Sequence, residues 1–167
     1  MIRVVQLIVF ILIYNSSFSQ EDKTKCDIKP FMVYTIDNDE FSNIRATPKG
    51  EIILKLSNNY SSEGYILTVI DVEDGWLKIN VIEGIEGVTV SNFEGWIHNS
   101  IVEAAVTHDL DVFDKPNGKN KVGKLIGEHD SFKIKDVYCE WIKIECKNVS
   151  GWVKSDKICG NPVTTCP

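Results

Sequence analysis

Apolar and polar residues alternate along most of the chain with the period of two that is typical of β-strands. The clearest example, residues 76–82, follows the tight-turn sequence Glu73-Asp74-Gly75, and residues 65–72 alternate in the same way before that turn. No window has the spacing of three and four residues that marks an amphipathic helix. The pattern therefore predicts an all-β protein built from short antiparallel strands. The predicted strands are 31–36, 52–56, 65–72, 76–82, 95–102, 104–113, 121–125, 131–137, 141–146 and 151–153.

The strands carry one sequence phrase twice, and this phrase contains all four tryptophans of the chain. In each copy, a strand ending in aspartate precedes a Trp-aliphatic-Lys-Ile run, and a Gly-Trp-aliphatic run follows. A turn containing proline and glycine lies upstream. A repeat that keeps these positions in one order predicts a single folding unit used twice, each copy having roughly 55 to 75 residues. The matching positions are Ile44, Pro48, Gly50, Asp71, Trp76 and Trp96 in the first copy and Val112, Pro116, Gly118, Asp136, Trp141 and Trp152 in the second.

Within residues 76–81 the period of two separates an aliphatic face from a face that carries a tryptophan. Leu77, Ile79 and Val81 form the aliphatic face, which we expect to be the core. Trp76 then points outward with Lys78, and the second copy predicts the same for Trp141. An outward tryptophan can cover a second apolar cluster under a loop, or it can serve as a platform for a ligand.

The first copy is longer than the second at one point. Nineteen residues separate Trp76 from Trp96, whereas ten separate Trp141 from Trp152. The extra residues fall around 83–90, where apolar residues alternate with glycine and acidic residues. This pattern predicts a lengthened hairpin on the surface.

The amino-terminal segment has the order of a secretory signal. Arg3 precedes an almost unbroken apolar run at residues 4–14, and small residues follow it up to Ser19. We therefore expect residues 1–19 to be removed on export, and polar residues 20–29 to form a flexible leader. The apolar run is too short to span a bilayer and no other segment is longer, so the mature protein is expected to lack an integral membrane segment.

Charge argues against several classes of partner. The formal net charge is −6, with 18 Lys and Arg against 24 Asp and Glu, and removal of Arg3 with the signal makes it −7. A protein that binds nucleic acid or anionic lipid through a broad basic surface carries the opposite charge. We therefore expect no nucleic-acid partner, and an acidic ligand would need a local pocket.

Five cysteines in an exported chain indicate disulfides with one cysteine left over. Cys139 and Cys146 flank one predicted strand, about 20 Å apart at the rise of an extended chain, so they cannot pair with each other. Either Cys159 and Cys166 close a loop in the tail, or they reach back separately to Cys139 and Cys146. The sequence does not choose between these alternatives, and Cys26 is the expected spare.

The sequence predicts neither catalysis nor a cofactor. His98, His108 and His129 are scattered through loops and strand edges, where a surface role is expected rather than that of a general base. No Cys-x-x-Cys pair or Cys/His cluster suggests a zinc site, and no glycine-rich phosphate loop or nucleophile elbow is present.

The order of these motifs resembles the bacterial SH3 domain, the extracellular relative of the SH3 barrel. The first copy carries Asn43-Ile44-Arg45, the 48–50 turn and the two tryptophan motifs, and the second copy is similar but has Phe113 in place of Arg45. The resemblance implies two tandem SH3-like β-barrels, each of about five short strands. Their expected bounds are residues 30–104 and 105–160, and residues 161–167 form a tail that contains a cysteine.

Members of this family are binding modules on exported bacterial proteins, often for peptidoglycan or its peptides. The resemblance implies a secreted or periplasmic protein that binds peptidoglycan or a peptide at a shallow aromatic site. The expected site residues are Trp76, Trp96, Arg45, Asn43 and Lys78. The alternative is a structural or protein–protein interaction scaffold in the cell envelope, with an apolar surface on the 85–90 insertion. Inhibition of a hydrolase is a third possibility for a small disulfide-linked chain.

Overall fold

The computed structural model describes residues 26–58, 64–84 and 88–161. Within these ranges the protein is all-β, as the alternating pattern predicts, with thirteen strands and two short 3₁₀ turns, Asn99–Ile101 and Ser155–Lys157. The strands are β1 (Phe31–Thr35), β2 (Phe41–Arg45), β3 (Ile52–Ser57), β4 (Tyr65–Glu73), β5 (Trp76–Gly84), β6 (Thr89–Ser91), β7 (Gly95–His98), β8 (Val102–Ala105), β9 (Leu110–Phe113), β10 (Lys121–Leu125), β11 (Ser131–Tyr138), β12 (Trp141–Cys146) and β13 (Val149–Lys154).

The strands form one antiparallel sheet. Its order is β10-β9-β13-β12-β11-β8-β1-β4-β5-β7-β2-β3, and β6 pairs with β5 beside this path. Strand β8 lies at the centre, because its first residues pair with β1 and its last residues pair with β11. The boundary predicted between residues 104 and 105 therefore falls inside a strand that pairs with both halves of the chain.

The sequence repeat corresponds to a repeat in strand pairing. In the first half, β4-β5-β7-β2-β3 are neighbours in that order, and in the second half β11-β12-β13-β9-β10 repeat it. A 3₁₀ turn follows β7 and β13 alike. The second residue after each turn then pairs with an earlier strand, since Glu103 pairs with Tyr34 and Cys159 forms a bridge with Ala105. The same pairings thus occur twice in one continuous sheet.

A β-bulge recurs in both copies and accounts for the aspartate at the end of the repeated strand. Register shifts between Val69 and Asp71 on β4, and between Ile134 and Asp136 on β11. Each bulge places one additional residue on its strand, which bends the hairpin and increases its twist. The bulge lies next to the turn that leads into Trp76 or Trp141.

The core is one cluster that runs through both halves, and it is lined by the aliphatic positions of the repeat. These side chains are inaccessible to solvent because they occupy the face opposite the tryptophans. The matched core pairs are Ile44 and Val112, Leu67 and Phe132, Val69 and Ile134, Leu77 and Ile142, Ile79 and Ile144, and Ile97 and Val153.

The predicted core face of β5 is correct up to Ile79 and wrong beyond it. Val81 is partly exposed, whereas Ile82 is fully buried. The reason is a second bulge, since Val69 pairs with Ile79 but the preceding Thr68 pairs with Val81. The additional residue, Asn80, reverses the alternation of faces for the rest of the strand.

The cysteine prediction is wrong in its main assignment. Cys26 is not spare but bonded to Cys139, with a Cα–Cα distance of 5.3 Å and 113 residues between them. Cys146 is the free cysteine of the described residues and is buried in the core. Cys159 is disulfide-bonded. Cys139 lies in the turn between β11 and β12, where the leader of the first half reaches it, and Lys29 N donates to Cys139 O at 3.2 Å.

Several predictions fall on parts of the chain outside the described residues. These are the signal peptide at 1–19, most of the 20–29 leader, residues 85–87 of the insertion, and the tail from residue 162, which includes Cys166. In the described ranges, no helix has the length and apolar character required to cross a membrane.

Candidate binding surface

The five predicted site residues lie on three adjacent strands and share the outer face of the first half. Arg45 of β2 pairs with Trp96 of β7, and Trp96 pairs with Lys78 of β5, so the three form one row across the sheet. Trp76 and Asn43 each lie two residues from a member of this row on their strands, and therefore face the same side. The three strands place together residues that are up to 53 positions apart, from 43 to 96.

The two indoles on this surface are more buried than their outward direction suggests. Trp76 is 8% exposed and Trp96 is 9% exposed. The His98 ring packs edge-on against Trp76 at 5.0 Å between ring centroids, and the Arg45 guanidinium lies 5.8 Å from the Trp76 ring centroid. Trp76 is thus on the face opposite Leu77, as predicted, but neighbouring side chains cover it. Only a small part of the Trp76 side chain is therefore open to solvent.

The two cations of the row already have partners. Arg45 Nη1 donates to Gly50 O at 2.6 Å, which ties β2 to the turn predicted at 48–50. Lys78 Nζ lies 2.6 Å from Glu94 Oε2, and the Glu94 side chain is 62% exposed. An ion pair this exposed contributes little to stability, typically ~0–1 kcal/mol, so a ligand carboxylate can replace Glu94 at small cost.

Asn43 is the member of the surface with an unsatisfied polar atom. Its Oδ1 is buried and accepts no hydrogen bond from the residues that the structure describes. A buried acceptor without a donor costs about 1–3 kcal/mol. The amide of Asn43 therefore offers an unused hydrogen-bonding group beside Arg45.

The corresponding surface of the second half has different chemistry. Phe113 pairs with Trp152 and Trp152 with Lys143, which repeats the row with an aromatic ring in place of Arg45. Phe113 packs edge-on against Trp141 at 5.9 Å. Trp141 Nε1 donates to Asn117 Oδ1 at 3.3 Å, in the turn that matches residues 48–50. The second row therefore keeps a lysine but has an aromatic side chain at the position where the first row has Arg45.

Sequence reasoning missed two residues that belong to this surface, His98 and Glu94. His98 pairs with Trp76 across β5 and β7, and its Nδ1 lies 2.7 Å from Ser100 Oγ, at the start of the first 3₁₀ turn. The signal was available, because His98 lies two residues after Trp96 and shares its face. Glu94 lies before the strand, where no pattern indicates direction.

Two groups outside this surface, the Cys146 thiol and the Tyr34 hydroxyl, have raised pKa values. Burial raises the pKa of the Cys146 thiol, and the nearby Asp130 carboxylate adds to the effect, which is the opposite of what activates a nucleophilic cysteine. Burial and the nearby Glu103 carboxylate raise the pKa of Tyr34. Within the described ranges, no group of three or more His, Cys, Asp or Glu is placed to hold a metal ion.

Comparison with known proteins adds little to this geometry. No protein-family model matches the chain. No curated protein matches it either. Among solved structures, NlpC1 from Trichomonas vaginalis is similar over 81% of this chain at 10% identity, with a TM-score of 0.32. NlpC2 from the same organism is similar over 78% at 11% identity, also with a TM-score of 0.32. The chain spans 48% of the length of each of these structures.

Proposed function

We propose that the protein is an exported, non-catalytic binding module made of two tandem SH3-like barrels. The repeated order of strand pairing supports the two-unit interpretation, as do the matched bulges and the 3₁₀ turn after β7 and β13. The disulfide between Cys26 and Cys139 supports export, because such bonds persist in oxidising compartments. The motif order that resembles bacterial SH3 domains makes peptidoglycan or its peptides the first ligand to consider.

The observation that carries this proposal is the row of Arg45, Trp96 and Lys78, with Asn43 beside it. A guanidinium and an ammonium on one face suit a ligand carboxylate, such as the end of a stem peptide. The Asn43 amide can meet a backbone N–H of the same peptide, and the indole edges supply apolar contact. A peptide carboxylate at Lys78 would displace Glu94 from its exposed ion pair. The first half is therefore the proposed site, because the second half lacks the arginine.

A matched pair of lysine variants tests this function. Lys78→Ala removes a cation from the proposed site, and Lys143→Ala removes the lysine at the equivalent position of the second half. We expect purified peptidoglycan to sediment the wild type and the K143A variant, and to retain K78A at least about threefold less, since one charge-assisted contact is lost. Loss of sedimentation in both variants, or in neither, would contradict a site at Lys78. No sedimentation of the wild type at moderate salt would exclude this ligand.

The second candidate function is an interaction scaffold, and exposed valines on the insertion favour it. Val88 is 66% exposed just before β6, and Val90 is 53% exposed within β6, which pairs with one end of β5. Exposed aliphatic side chains on an extended hairpin are typical of a contact surface for another protein. This surface contains none of the residues of the tryptophan row, which consists of Arg45, Trp96 and Lys78.

Light scattering coupled to chromatography tests the scaffold. If the valines mediate self-association, the wild type elutes as an oligomer, and a Val88→Ser, Val90→Ser double variant elutes as a monomer. Val122→Ser is the matched control, since Val122 is 45% exposed on the edge strand β10. A wild type that stays monomeric at high micromolar concentration would rule out self-association through this surface.

A further inference from the structure

A separate pocket lies between β1 and the second 3₁₀ turn, where the end of the second half meets the first. Its volume is about 250 Å³. Phe31 and Ile158 form buried apolar walls, and the half-exposed side chain of Met32 contributes a third. Thr68, Ser155 and Asp156 supply polar groups. Cavities for drug-sized ligands have about 300–1,000 Å³, so this pocket suits a group about as large as one amino-acid residue.

Ser155 lines this pocket, and its hydroxyl is unsatisfied. The residue is 7% exposed, and its Oγ is buried without a hydrogen-bond partner among the described residues. Its backbone is held in place, since Ser155 N donates to Glu140 O at 2.8 Å. A buried, fixed hydroxyl with no partner is rare in proteins, and a bound ligand is one way to satisfy it.

The first half shows how the same position is satisfied when another element covers it. Asn99 begins the first 3₁₀ turn as Ser155 begins the second. Asn99 Nδ2 donates to Ile134 O at 2.9 Å, on strand β11. The repeat thus places a polar side chain at this point twice. One finds its partner on β11, and the other lines the pocket.

Asp156 places a carboxylate at the edge of this pocket. Its side chain is exposed beside Ser155, and it forms no ion pair with the described lysines and arginines. A carboxylate next to a buried hydroxyl and apolar walls is complementary to an ammonium that carries an aliphatic group. The serine hydroxyl can accept from that ammonium or donate to a neighbouring carbonyl oxygen.

We infer that this pocket binds a primary ammonium attached to a branched alkyl chain, as found at the amino terminus of a peptide that begins with an aliphatic residue. The alkyl chain lies between Phe31, Met32 and Ile158. The ammonium contacts Asp156 and the Ser155 hydroxyl. This site is distinct from the tryptophan row and uses none of its residues.

Leucinamide is the probe, with two analogues that each remove one feature. N-acetyl-leucinamide lacks the ammonium, and isoamylamine keeps the ammonium and the branched chain but lacks the carbonyl. Backbone amide shifts in a two-dimensional NMR titration report where each compound binds. We expect leucinamide to shift β1 and residues 155–158 saturably, with a dissociation constant of about a millimolar, as suits a small ligand. The acetylated analogue should not saturate.

Two variants and a control locate the contacts. Asp156→Asn should weaken leucinamide binding about tenfold, and Ser155→Ala should weaken it about threefold. Glu51→Gln, which neutralises an exposed carboxylate elsewhere, should leave it unchanged. If leucinamide binds more tightly than isoamylamine, the site is specific for a peptide amino terminus. If the two bind equally, the site accepts branched alkyl amines in general.

Three results would overturn the inference. They are equal binding of the acetylated analogue, unchanged affinity in the D156N variant, and the absence of saturable shifts at β1 and residues 155–158. The lysine variants of the tryptophan row test the proposed function independently, so failure of one does not imply failure of the other.

Discussion

Single residues at strand crossings decide whether the repeat can fold. The glycine before each second tryptophan has no room for a side chain. A Cβ on Gly95 would overlap the Ile44 Cγ2 methyl and lie 3.2 Å from Phe93 Cε2, and a Cβ on Gly151 would lie 2.6 Å from Val112 Cγ1. The Gly-Trp pair of the repeat therefore combines a close approach of two strands with an indole on the opposite face.

Gly95→Ala should lower the free energy of unfolding by about 1–3 kcal/mol, because one added methyl group overpacks a filled core. Gly84→Ala is the matched control on a neighbouring strand, since a Cβ there would meet only Val88 O, at 3.9 Å. Urea unfolding followed by circular dichroism measures both variants. A midpoint for G95A equal to that of G84A would contradict the packing described for this position.

Asp130 is the buried carboxylate that stabilises the loop before β11. Its Oδ2 accepts from Ile126 N at 2.7 Å, and Lys147 Nζ lies 2.7 Å from Oδ1. The hydrogen bond from Lys147 and that from the Ile126 backbone lower the pKa of this carboxyl below its ordinary value. Because the folded state favours the ionised form, Asp130 stabilises the fold above the unfolded pKa, and this contribution is lost as pH falls through the folded pKa.

The difference in thermal stability between wild type and Asp130→Asn should therefore be large at pH 7 and should shrink as the pH falls below about 4. The substitution also replaces one of the two acceptor oxygens by an amide nitrogen, so either Ile126 N or Lys147 Nζ loses its acceptor. Differential scanning fluorimetry at pH 7, 5 and 3 provides the measurement. A difference that stays constant over this range would show that the charge of Asp130 is not the cause.

At the scale of elements, local patterning predicts the strands well and their contacts poorly. Strands β10 and β12 have the predicted bounds, since each is a short alternating run between turn residues. Strand β2 is absent from the predicted strands, because Asn43 and Arg45 lie close to Pro48 and are typical of a turn. The predicted core position of Val81 is wrong because a bulge depends on the partner strand, which the local sequence does not specify.

The candidate surface shows the same limit. The period of two correctly places Trp76 opposite Leu77, since direction is a local property of a strand. Its burial was not predictable in the same way, because His98 and Arg45 cover it from strands that are distant in sequence. The cysteines are the extreme case, with 113 residues between Cys26 and Cys139 and no local signal that joins them.

The Cys26–Cys139 bond attaches the segment before β1 to the turn between β11 and β12, and so links the two halves. A Cys26→Ser, Cys139→Ser variant should lose about 2–4 kcal/mol of stability, since the bond closes a long loop. Non-reducing peptide mapping should recover a peptide pair joined through these cysteines. Alkylation of Cys26 by iodoacetamide in the native protein would contradict the pairing. Cys146, buried in the core, should react only after unfolding.

At the scale of the molecule, the two halves share a strand and exchange hydrogen bonds. Strand β8 pairs with β1 and with β11, which leaves no linker between the copies. Ser131 Oγ donates to Glu103 Oε2 at 2.6 Å, and Lys133 Nζ donates to Ser100 O at 3.1 Å. Because the core cluster also runs through both halves, neither half buries its apolar surface alone.

The whole molecule should therefore unfold in one transition, with no state in which one half is folded and the other is not. Trp76→Phe removes one indole of the first half, so the fluorescence of this variant comes mainly from the second half. Trp141→Phe removes the equivalent indole of the second half, so its fluorescence comes mainly from the first half. The fluorescence transitions of the two variants should coincide with their own far-ultraviolet circular dichroism transitions in urea. If one half unfolded first, the fluorescence and dichroism midpoints would separate in opposite directions in the two variants, and the shared strand β8 would not couple the halves.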